Sequence, residues 1–137
     1  MPLAVILGQA LINFLIATTI TVVIAGVTYI LHSAVVNDLN RQRQFRHFRA
    51  MIIVGNLGIG NGLTPAQAGT RTSQGHDVWS VSRADARLVA GGASAIGPEN
   101  GVRNGWWFNT YFSHFHRFNR NGSHSFFGNG TQGQRLW

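Results

Sequence analysis

LAVILGQALINFLIATTITVVIAGVTYILHSAVV, residues 3–36, is the stretch whose reading decides the fold. From Met1 through Asn37 there is no Asp, Glu, Lys or Arg. A helix crosses the roughly 30 Å hydrocarbon layer with about 20 such residues. The run therefore predicts one transmembrane helix within an anchor of residues 1–37, long enough to span with tilt. Asn13 and the threonines at 18, 19 and 21 would lie at bilayer depth, where polar groups mark a packed face. Asn13 is accordingly an interface candidate. A basic leader is missing and the apolar run exceeds the roughly 7 to 15 residues of a cleaved signal, so retention of the segment is expected.

Working outward, Arg41, Arg43, Arg46 and Arg49 follow within about 15 residues of the span, the window in which positive charge sets topology. The C-terminal region is then expected on the cytoplasmic or matrix side. Residues 38–54 read as a basic juxtamembrane helix and an apolar run. In it arginines reach anionic headgroup phosphates while Leu39, Phe45 and Phe48 stay near acyl chains. Residues 55–75, with Gly55, Gly58, Gly60 and Gly62, read as a Gly-rich linker; neither GxGxxG nor Gly-Lys-Ser/Thr is present. Ser82-Arg-Ala-Asp85 has capping-box spacing and predicts a two-turn helix stopped at Gly91-Gly92, docking through Val81, Leu88 and Val89.

The chain of 137 residues holds 11 basic against 4 acidic residues, a formal charge of +7, and every basic residue is arginine. Phosphate-bearing partners, lipid or nucleic acid, are favoured over basic ones. The absence of cysteine excludes disulfides, thiolate metal sites and thiol nucleophiles.

Residues 76–137 form a basic, aromatic-rich tail, with nine aromatic residues between Trp106 and Phe127. At helical period Trp107, Phe108, Tyr111, Phe112, Phe115 and Phe118 share a stripe, and Asn121-Gly122 would end the helix. With Trp106 they are candidates for partner packing, and Arg117 and Arg120 for phosphate contact. In a strand, by contrast, His114 and His116 would project side by side. The helix is the reading preferred here.

His114, His116 and His124 are the one cluster with catalytic or metal-binding chemistry. Two imidazoles can act as base and acid in phosphodiester cleavage, and three can hold zinc or copper. No carboxylate lies within 14 residues of the trio to orient an imidazole, and a helix would point residues two apart in different directions. The trio is therefore read as surface filling, with no metal and no cofactor expected. His32, near the end of the span, is a weak cofactor-ligand candidate.

The fold expected is mainly α: a single transmembrane helix, a largely irregular Gly-rich extramembrane region, and a short amphipathic aromatic C-terminal helix. The function expected is non-enzymatic. It is that of a structural or accessory subunit of a membrane-associated assembly, packed against other subunits or copies of itself. A membrane-tethered nucleic-acid binder is the alternative, and a tethered His-dependent nuclease the third reading.

Overall fold

The structure, a computed structural model, describes residues 21–53, 56–99 and 113–128. Within them the apolar stretch does not continue as a helix. Thr21–Ile24 (β1) and Val27–Leu31 (β2) pair antiparallel, with Thr21 opposite Ile30 and Ile24 opposite Val27. Ala25 and Gly26 both take positive φ, 51° and 79°, the two-residue hairpin geometry whose twist matches the flanking strands. The β-branched residues at 21–24, 27, 28 and 30, with the aromatic Tyr29, suit a pleated sheet better than a helix. Among the described residues no helix is long and apolar enough to cross a membrane. The expected transmembrane helix, and the single-pass localisation built on it, are corrected accordingly. Asn13 lies outside the described residues.

Strand β2 runs straight into α1, His32–Arg41, which buries His32, Val35 and Leu39 at helical spacing. The basic juxtamembrane helix expected within residues 38–54 stops at Arg41. The Gln42 side chain accepts from the backbone N–H groups of Gln44 and Phe45 and donates to the Leu39 carbonyl, turning the chain. His47–Ile53 (β3) and Asn56–Leu63 (β4) then form a second hairpin. The Gly-rich stretch is thus a strand. A Cβ on Gly58 would lie 2.7 Å from Ile53 Cδ1 and one on Gly62 would lie 2.6 Å from Phe45 Cγ, so large side chains lie directly over these glycines.

Thr64 and Gln67 form a reciprocal capping box that opens α2, Pro65–Ser73. Val78–Ser80 (β5) follows, then α3, Arg83–Val89, capped by the Ser82 side chain accepting from the Asp85 N–H. Val89 is buried on this helix, whereas Leu88 points to solvent. Ile96–Glu99 (β6), His114–His116 (β7) and Ser125–Phe127 (β8) complete one mixed sheet, ordered β1-β2-β4-β3-β5-β8-β7-β6. All pairs are antiparallel except β5 with β8. In place of the expected mainly α fold, the described residues form an eight-stranded sheet with three short α-helices.

One buried cluster joins α1 to the sheet through Ile30, Val35, Leu39, Phe48, Trp79 and Phe126. A second joins α3 to β7 and β8 through Ala86, Ala90, Phe115 and Phe127. Adjacent residues of β8 thus project to opposite sides, as the pleat requires.

Candidate functional site

The histidine trio sits on β7 and at the entry to β8. His114 and His116 are two apart on a strand and project to the same side, the alternation set aside in favour of a helix. Their Nε2 atoms lie 3.2 Å apart. His124 stacks on Phe126 and its ring lies 5.1 Å, centroid to centroid, from each of the other two. One ligand nitrogen from each histidine can be chosen so that all lie within 4.8 Å of one another. Side-chain exposure rises from 3% at His114 to 12% at His116 and 36% at His124, so the cluster opens to solvent from one side.

Strand register delivers two carboxylates to this site. Val78 pairs with Ser125 in the parallel β5–β8 ladder, so Asp77 and His124, each one residue earlier, come side by side. Asp77 Oδ1 accepts from the His124 backbone N–H at 2.8 Å and from its Nδ1 at 3.0 Å. That bond assigns the proton to Nδ1 and turns Nε2 outward as a lone-pair donor. From the other side, Glu99 stands opposite His114 in the β6–β7 ladder. Its Oε1 lies 3.4 Å from His116 Nε2 and 3.9 Å from His114 Nε2, while Oε2 accepts from Arg120 Nη2 at 2.8 Å.

The loop carrying His124 is fastened from behind. Arg117 Nη1 donates to Thr72 Oγ1 and to the Val89 carbonyl, at 3.0 and 3.3 Å. Asn121 Nδ2 donates to the Thr72 carbonyl at 2.7 Å, and its Oδ1 accepts from the Ser123 N–H. The β7–β8 loop is therefore hydrogen-bonded to α2 and to the end of α3.

Electrostatics sort the protonation states. Burial, reinforced by the nearby His124, lowers the His116 pKa although Glu99 pulls it up. Burial raises Glu99, but the Arg120 hydrogen bond and the charges of His116 and Arg120 outweigh it, and the net shift is downward. Near neutrality the site presents a neutral His116 imidazole beside an ionised Glu99.

Three imidazole nitrogens converging in this way could hold a transition-metal ion. Tetrahedral bonds of about 2.0–2.1 Å put neighbouring ligand nitrogens about 3.3–3.4 Å apart, and the His114–His116 separation of 3.2 Å is close to that edge. Neutral imidazoles are the ligating form, and a carboxylate on the far nitrogen of a ligand is the recurrent outer partner. Three protein ligands with a solvent-facing side match a centre that keeps a position open.

The other sequence candidates are dispersed. Arg41 and Arg43 are exposed, Arg46 pairs with Asp85 at 2.8 Å, and Arg49 bonds Asn61. Phe115 is buried against Phe127 while Phe118 is 66% exposed, so the two do not share one buried stripe. Trp106, Trp107, Phe108, Tyr111 and Phe112 lie outside the described residues. His32 is buried in the α1 core with its ring 5.1 Å from that of Trp79, and burial drives its pKa down to about 4 against a backbone bond with Gly128. A histidine–serine pair, His47 Nδ1 with Ser80 Oγ at 2.7 Å, is buried. Asp77 and Glu99 were missed in the sequence, where 47 positions separate Asp77 from His124.

No protein family, curated protein or solved structure matches this chain.

Proposed function

We propose that the chain is a metal-dependent hydrolase of nucleic-acid phosphodiesters, with His114, His116 and His124 as the metal ligands. The observation that carries this reading is the convergence of three imidazole nitrogens within 4.8 Å of one another. The net charge of +7 and the guanidinium of Arg120 at the rim of the cluster favour a phosphate substrate over a neutral or cationic one. A zinc-type ion in such a site supplies a Lewis acid.

The remaining work falls to the chain's own groups. Asp77 keeps the Nδ1 proton on His124 and so keeps Nε2 available. Glu99, ionised and fixed through Oε2 by Arg120, presents Oε1 as the proton acceptor for an attacking water. The water oxygen bonds to phosphorus as the bond to the leaving oxygen breaks, and the proton taken by Glu99 Oε1 passes to that leaving group.

A second reading is metal-free cleavage with His124 as the base, favoured by the carboxylate that orients its imidazole. One experiment separates the two. The purified full chain is stripped with chelator, reloaded with Zn²⁺ or Mn²⁺, and offered single-stranded RNA and DNA. Cleavage lost on stripping and restored on loading, with one ion bound per chain and none bound by His116→Ala, is the expected result. Cleavage that survives stripping selects the metal-free route, and cleavage under no condition overturns both.

A further inference from the structure

We propose that a cleft between α2 and the β3–β4 hairpin, built on Arg49 and Arg71, is a phosphate-binding site distinct from the histidine cluster. The cleft has a volume of roughly 350 Å³, in the range of sites that enclose a small ligand. Asn61, Gln67 and Thr70 line it beside the two arginines, and no acidic side chain does.

Both guanidinium groups are held through Nε. Arg49 Nε donates to Asn61 Oδ1 at 3.1 Å, and Arg71 Nε donates to the Asp77 carbonyl at 3.0 Å, with its Nη2 reaching the Ala50 carbonyl at 3.5 Å. Both Nη groups of Arg49 and Nη1 of Arg71 have no protein hydrogen-bond partner among the described residues. Neither arginine forms an ion pair among those residues; the carboxylate of Asp77, whose charge Arg71 feels, is engaged by His124.

Two cations face one cleft, and burial followed by the charge of Arg49 lowers the Arg71 pKa. Like charges anchored together with forked donors spare are stabilised by an oxyanion that accepts from both. The ligand class is a phosphate group, either free or carried by a nucleic-acid strand. The site stands independently of the hydrolase reading, since it shares no side chain with the histidine cluster.

The test uses the full chain in chelator, which stops metal-dependent cleavage, and the oligonucleotide is checked for integrity after each titration. The probes are inorganic phosphate and one single-stranded oligonucleotide with and without a 5′-phosphate, followed by calorimetry and fluorescence anisotropy. Arg49→Met is the main variant, because the side-chain hydrogen bond it removes among the described residues is that to Asn61; a melting curve verifies its fold. Arg87→Met, at an exposed arginine outside the cleft, makes the same change in net charge. Arg49→Met is expected to weaken phosphate binding by about tenfold or more, with Arg87→Met near wild type. Preference for the 5′-phosphorylated strand assigns the site to chain ends, and equal binding of both strands, displaced by inorganic phosphate, assigns it to the backbone; either supports the site. Equal weakening by the two variants, or no phosphate binding by wild type, overturns it. Failure of cleavage in the metal-loading experiment above, with phosphate binding intact here, removes the hydrolase reading alone.

Discussion

Replacing Asp77 by Asn probes the site without dismantling it. Asp77 Oδ1 accepts two hydrogen bonds from His124, at 2.8 and 3.0 Å. An asparagine carbonyl oxygen can occupy the same position, so the fold should change by no more than about 1 kcal/mol. What disappears is the negative charge that makes His124 Nε2 a stronger donor. Loss of such an outer partner costs about 10- to 100-fold in metal affinity, or about 1.4–2.7 kcal/mol. Asp77→Ala also strands the His124 backbone N–H and Nδ1, adding about 1–3 kcal/mol of destabilisation. Competition against a chromophoric chelator measures the affinity, and urea melts measure the fold. Metal affinity unchanged in Asp77→Asn, with Asp77→Ala altered in stability alone, would show that the carboxylate merely closes the β5–β8 edge.

Three further outcomes test the fold. His32 is held neutral, its folded pKa near 4 against about 6.5 in the unfolded chain, so its contribution is complete above pH 6.5 and is lost as pH falls towards 4; His32→Phe should remove about 3 kcal/mol of that acid-side loss, read from urea midpoints across the window. Burial raises Asp85, but hydrogen bonds from Ser82 and Arg46 pull it to a net lowered pKa. Its stabilisation is present above the ordinary carboxylate pKa and fades as pH falls through the lowered value. Asp85→Ala should cost about 1 kcal/mol at pH 7, and Arg46→Ala less because that ion pair is exposed, as thermal melts will report. Gly62→Ala places a Cβ 2.6 Å from the Phe45 ring and should cost about 1–3 kcal/mol; in a Phe45→Ala background the cost should largely vanish, and a persistent cost would point to backbone rather than side-chain crowding.

The apolar run shows why hydropathy alone misreads a fold. Mean apolarity is shared by a membrane span and by strands buried in a sheet, and only the breaks distinguish them. Ala25-Gly26 is such a break: two residues at positive φ between β-branched runs, a hairpin signal inside a stretch that has no charge. Where a segment's reasons were local, they were readable. The Ser82 cap and the Gly91 stop define α3 through contacts spanning a few residues, and those contacts are present. The Gly-rich strand β4 was unreadable for the opposite reason. Its glycines answer to Phe45 and Ile53, which lie over them, and spacing along β4 does not encode that neighbour.

The same distinction governs the site. A three-residue strand cannot show a period, so His114-Phe-His116 followed the aromatic spacing around it into a helix. The carboxylates beside the trio are distant in sequence, so counting residues along the chain does not reveal them. Sequence separation is a poor measure of distance in a sheet that closes parallel and antiparallel ladders over dozens of residues. Asp77 precedes β5 by one residue and His124 precedes β8 by one, and the parallel pairing of those strands brings them together. Glu99 ends β6 opposite His114 on the neighbouring strand. A polar residue immediately outside a short buried strand is thus a candidate partner for its counterpart on any strand that can pair in register. The Arg71 side chain, bonded to the Asp77 backbone, ties the phosphate cleft to that same strand entry. Asp77 thereby links the two sites, its carbonyl fixing the cation of one and its carboxylate the imidazole of the other.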